Sequence, residues 1–169
     1  MRTVGITSLL FAALALVPAG AHLAELPNKV DLSSEQYLTV QQIYRGWALF
    51  GIVVVGAIAS TLILTLMSRR RAPRTFFLGL VALISLLGTQ LIFWAFTFPA
   101  NQVTRNWTVL PPNWTELRLQ WEYSHAASAL LNLVALVALA LGACPGSLGP
   151  ARAREGGHEV ASDPRPGAN

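Results

Sequence analysis

The sequence predicts an all-α fold: a four-helix transmembrane bundle with helices two and four extended on the outer side and both termini cytoplasmic. Three observations predict it. Over half of the 169 residues are apolar and only 12% are charged. Three runs free of charge, Trp47–Met67, Phe76–Phe98 and Ala126–Ala143, are long enough to cross a hydrocarbon core. Arginines gather on one side of these runs. Arg2, Arg69, Arg70, Arg71, Arg74, Arg152, Arg154 and Arg165 fall there with three acids, whereas Lys29, Arg45, Arg105 and Arg118 fall on the other side with five. Cytoplasmic loops carry the excess of basic residues, so the arginine-rich side is expected inside. The basic balance is therefore a topology signal and not a nucleic-acid footprint.

The first run, Val4–Leu26, is interrupted by Pro18, His22 and Glu25. Arg2, the apolar stretch and Ala19, Gly20, Ala21 look like a secretory signal with a cleavage site. Leu23, Ala24 and Leu26 continue the run and favour an uncleaved span. Between the first two spans, Ser33 with Gln36 offers a capping box, which predicts that EQYLTVQQIYRGW extends the second helix outward. Tyr37, Gln41, Tyr44 and Arg45 share one face of that extension. Gly51 and Gly56 are expected as close-packing positions in the second span. The segment 99–112 is proline-rich and is expected as an outer loop.

The fourth helix starts near Asn113, expected as an N-cap with Glu116 as its reciprocal partner, and nothing before Ala143 breaks it. Such a helix is about 45 Å long against a core of about 30 Å, so its first turns stand outside the membrane. Trp114, Arg118, Glu122, His125 and Asn132 share a face, with Trp121 at its edge. Residues 1–143 are thus one transmembrane domain. Residues 144–169, rich in Gly, Pro and charge, are expected as a disordered cytoplasmic tail, in which His158 has no assigned role. The single cysteine, Cys144, removes disulfide frameworks and dithiol reductases from consideration. All five tryptophans lie on the outer half. Trp47 and Trp94 read as an interfacial belt; Trp107, Trp114 and Trp121 read as a cap or pocket wall.

Two motifs mirror each other across the chain. His22-x-x-Glu25 ends the first span and Glu122-x-x-His125 begins the fourth, at one expected depth. A spacing of i, i+3 puts both side chains of each pair on one helix face. Two imidazoles and two carboxylates would converge if these helices are neighbours. Nitrogen and oxygen donors suit a divalent metal (Fe, Mn or Zn), with His22, Glu25, Glu122 and His125 as ligands. The same groups without metal suit acid–base chemistry. The alternative is an ion-pair network, Arg118 or Arg45 with Glu25 or Glu122, that merely satisfies a partly buried mouth. Gln90 and Asn132 are polar inside spans; Asn132, below His125, is the expected pocket floor.

HLAELPNK (22–29), VQQIYRGWALFG (40–51), FPANQVTRNW (98–107) and NWTELRLQWEYSH (113–125) together resemble the anthrone-oxygenase-like family of small, mostly bacterial four-span membrane proteins. The resemblance covers about residues 20–140. It rests most on Asn101, Trp107, Trp114, Leu117, Arg118, Trp121, Glu122 and His125. A few fungal members are taken to oxidise anthrones to anthraquinones with molecular oxygen and no evident organic cofactor. The resemblance implies a membrane oxidoreductase or oxygenase acting on a lipophilic aromatic molecule, in a bacterial inner membrane. Its catalytic residues would be His125, Glu122 and Arg118, and its substrate-binding residues Tyr44, Asn101, Trp107, Trp121 and Asn132. The second hypothesis is a non-enzymatic ligand-binding or accessory protein. The expected partners are the bilayer and a lipophilic small molecule, with no nucleic acid.

Overall fold

A computed structural model describes residues 1–144. The expected tail, with His158, lies outside the described residues. Among the described residues there are six α-helices: α1 Arg2–Lys29, α2 Ser34–Gln41, α3 Phe50–Ser68, α4 Pro73–Ile92, α5 Phe98–Val103 and α6 Trp114–Ala143. Four stretches are long and apolar enough to cross a membrane: Arg2–Lys29, Trp47–Ser68, Pro73–Val103 and Trp114–Ala143. This is the architecture of a multi-pass integral membrane protein. α1 packs on α3 and α6, and α4 packs on α3 and α6. The four long helices therefore close a square in which the first and last are neighbours. That adjacency brings the two His/Glu motifs to one end, called the mouth here; the opposite end carries Arg69, Arg70 and Arg71.

Small residues line the bundle axis. Ala12, Ala57, Ala82 and Ala135 are sealed from solvent together with Leu86, and Ala138 and Leu139 join them. Helices in lipid gain nothing from burying apolar surface against one another, so close approach through small side chains holds them. Gly56 and Gly79 are the tightest points among the described residues: a Cβ would fall 2.6 Å from the Phe11 ring at the first and 2.6 Å from Thr65 Oγ1 at the second. Gly51, expected to act likewise, meets nothing within 4 Å.

Three details differ from the sequence reading. The segment after Ser33 does not extend the second span. The capping box forms, with Ser33 Oγ accepting from the Gln36 amide and Gln36 Oε1 from the Ser33 amide. The helix then tightens to a 3₁₀ turn at Gln42–Tyr44 and breaks at Gly46, whose φ of 89° lies in the left-handed region. α2 is thus a separate piece over the mouth. Asn113 makes no side-chain cap, although α6 starts where expected. Pro99 does not end the third span. A π-helical stretch, Phe93–Thr97, continues α4 into α5, and Pro99 falls just beyond it, at the start of α5. Gln120 of α6 donates to the Phe96 carbonyl (2.8 Å), and Thr97 and Ser124 hydroxyls meet at 2.7 Å. These bonds set the register that carries Asn101 to the mouth.

Candidate functional site

The last turns of α1 place His22, Glu25 and Lys29 on one face, at spacing i, i+3, i+7. The start of α6 places Trp121, Glu122 and His125 opposite. The imidazoles of His22 and His125 meet with ring centroids 4.2 Å apart, so the expected convergence of helices one and four is present. Tyr44, Trp47 and Trp121 surround His22 at 4.4, 5.5 and 4.9 Å between centroids. Trp47 is therefore part of this aromatic wall and not only a belt residue, whereas Trp94 is exposed, as a belt residue would be.

Lys29 is the residue that organises the charges. It is 3% exposed. Its Nζ lies 2.9 Å from Glu122 Oε1, 2.9 Å from the Tyr44 hydroxyl and 3.8 Å from Glu25 Oε2. It also lies over the rings of Tyr44 (4.6 Å) and Trp121 (5.0 Å). Tyr37 donates to Glu122 Oε1 at 2.9 Å, and Tyr44 donates to Glu25. Burial, then the Glu122 carboxylate, pushes the Tyr37 hydroxyl far above its ordinary pKa. Burial, then the hydrogen bond to Glu25, does the same to Tyr44. Both tyrosines stay proton donors across the physiological range.

This network corrects two expectations. The cation beside Glu25 and Glu122 is Lys29, not Arg118 or Arg45. Arg118 instead donates to the Leu32 carbonyl (2.8 Å) and stacks over Trp114 (4.7 Å), so it ties the segment after α1 to α6. The set His22, Glu25, Glu122 and His125 is not built as a metal site either. Among the described residues no three His, Cys, Asp or Glu side chains are placed together to hold a metal ion. The reason is electrostatic: an ammonium already occupies the position between the two carboxylates.

The expected substrate-binding residues divide. Asn101 Oδ1 accepts from Trp121 Nε1 at 2.8 Å, so it orients that ring. Trp107 is 2% exposed and packs edge-on against Tyr37 at 5.0 Å. It ends three consecutive left-handed residues, Arg105, Asn106 and Trp107. Left-handed backbone costs roughly 1–2 kcal/mol per residue, so the turn is held by its packing, by Thr104 Oγ1 accepting from the Trp107 amide and by Gln42 donating to the Trp107 carbonyl. Asn132 is buried below His125 and donates to the Ser128 carbonyl of its own helix. Sequence reading placed neither Lys29 nor Tyr37 among the site residues; Tyr37 was named only as sharing a face with Gln41, Tyr44 and Arg45. The heptad step from His22 to Lys29 was the available signal; the reach of Tyr37 to Glu122 across the Gly46 break had none.

His22 Nδ1, His125 Nε2 and Glu122 Oε2 are buried without a hydrogen-bond partner. Each such atom costs about 1–3 kcal/mol, and these three lie on side chains of the mouth. Comparison with protein-family models, with curated proteins and with solved structures finds no match for this chain.

Proposed function

We propose that this chain is a membrane oxidoreductase of the anthrone-oxygenase-like kind, acting on a lipophilic aromatic substrate at the mouth. The arginine asymmetry supports cytoplasmic termini and an outward-facing mouth. The observation that carries the reading is the facing pair of imidazoles, contributed by the first and last spans. Their sealed nitrogens lack partners and they sit inside an aromatic wall. An imidazole placed so is a base without a substrate. It would remove a proton from a ring methylene activated by a neighbouring carbonyl. The resulting carbanion adds to dioxygen and takes a proton back, giving a hydroperoxide. Loss of water then leaves a ketone, so one CH₂ and one O₂ become one C=O and one H₂O. Lys29 and the two tyrosines supply positive potential and donors beside the developing negative charge. No metal is required in this scheme.

Oxygen uptake by the purified protein with an anthrone tests it. His125→Ala and His22→Ala should each lower the rate by about 10²–10⁴-fold, the usual worth of a positioned base, with insertion intact. The second reading, a non-enzymatic protein with a structural mouth, is favoured by the closed Lys29 network. It expects the same variants to lose thermal stability while no uptake is seen in any form. Reporter fusions after Arg74 and Leu141 should read cytoplasmic, and fusions near Asp31 and Thr108 external. A translocated Arg74 fusion overturns the orientation.

A further inference from the structure

The end of the bundle opposite the mouth carries a shallow surface groove. It is lined by Met1, Leu66, Met67, Arg69, Arg70 and Arg71. The three arginines are exposed and consecutive, immediately beyond α3. Among the described residues the ion pairs are those of Lys29 alone, so none of the three has a carboxylate partner there. Part of the groove lining is apolar. Leu66 and Met67 are exposed, and Leu62 and Ile63 continue the exposed apolar surface along α3. On α1, which packs against α3, Ile6, Leu10, Leu14 and Val17 form a parallel exposed strip. Three arginines thus line the same groove as Leu66 and Met67, from which exposed apolar side chains continue along α3.

We propose that this groove binds one anionic phospholipid, its phosphodiester held by Arg69, Arg70 and Arg71 and an acyl chain laid along Leu66 and Ile63. The planar guanidinium fork matches phosphate oxygens two at a time, which an isolated positive charge does not. Positive charge at a helix C-terminus and on the cytoplasmic side has ordinary causes. Those causes account for the sign of the charge. They do not account for three arginines lining one groove beside Leu66 and Met67 while Arg74, five residues on from Arg69, does not line it. That difference makes the site testable against general attraction to an anionic surface.

Native mass spectrometry of the full chain, released from micelles with phosphatidylglycerol or phosphatidylcholine of identical acyl chains, reads the occupancy. Phosphatidylglycerol is expected to stay bound in preference. Arg69→Gln, Arg70→Gln and Arg71→Gln should each weaken it about fivefold, the usual worth of one basic residue at an anionic surface, and Arg74→Gln by less than about twofold. Single substitutions leave the remaining arginines to hold the topology. Inorganic phosphate, compared with chloride of equal ionic strength, should not displace the lipid, because it lacks the acyl contact. The proposal fails if Arg74→Gln weakens binding as much as the groove variants do. It fails equally if phosphatidylcholine is retained as well, if phosphate strips the lipid, or if no lipid is retained.

Discussion

The mouth and the middle of the bundle both bury polar side chains, and they satisfy them in opposite ways. Along α1 and α3 four hydroxyls turn back on their own helices. Ser8 bonds to the Val4 carbonyl, Ser60 to Gly56, Thr65 to Thr61 and Ser68 to Leu64, all one turn away. At the mouth the bonds leave the helix: Lys29 to Glu122, Tyr37 to Glu122, Arg118 to Leu32 and Trp121 to Asn101 join different elements. A hydroxyl bonded within its own turn is already satisfied before the bundle assembles, so it specifies little. A charge whose partner lies on another helix specifies which helices meet and how deep. The mouth therefore holds the information, and the middle supplies the fit.

The largest test of this contrast is Lys29→Met. It leaves Glu122 buried with no cation, which typically costs about 3–5 kcal/mol. Thermal unfolding in detergent measures it, and an unchanged midpoint would mean that the ion pair is idle. Tyr37→Phe comes next. It removes one donor from the same carboxylate and should cost about 2 kcal/mol by the same measurement. Alkaline pH probes both tyrosines together. Their folded pKa values lie above the unfolded value, so their contribution is fully present below the unfolded pKa of roughly 10 and declines as pH rises beyond it. Unfolded tyrosines ionise there and release protons that the folded ones keep. The midpoint should be flat with respect to these groups from pH 6 to 9 and should drop by pH 11, and the drop should shrink in a Tyr37→Phe/Tyr44→Phe protein. Ser60→Ala, in the middle, should shift stability by less than about 0.6 kcal/mol. A cost as large as that of Tyr37→Phe would erase the distinction between the two regions.

The spans and the depth of the two histidines were legible because apolar length and i, i+3 spacing are local properties of the chain. Adjacency of α1 and α6 was a condition that the sequence left open, and the packing of the bundle supplies it. What stayed hidden was contact between elements separated by backbone breaks. The left-handed Gly46 detaches α2 from α3, and this detachment goes with Tyr37 lying over Glu122. The π-helical Phe93–Thr97 keeps the third span running through Pro99 and so delivers Asn101 to Trp121. Neither break has a reliable sequence signature. Lys29 was legible in its heptad step but was counted only as a charge on the outer side. Arg118, one turn from Glu122 on the same helix face, looked like its natural partner and is not.

The ion pair between α1 and α6 also bears on how the protein is made. Lys29 emerges from the ribosome with the first span, and Glu122 only with the last. Through the synthesis of everything between, the ammonium has no Glu122 to meet and must remain hydrated at the membrane surface. The mouth can close only after the final helix has entered. A nascent chain stalled before Glu122 would expose Lys29 and Tyr37 together, a state that quality-control proteases acting on unassembled membrane segments could tell from the finished bundle.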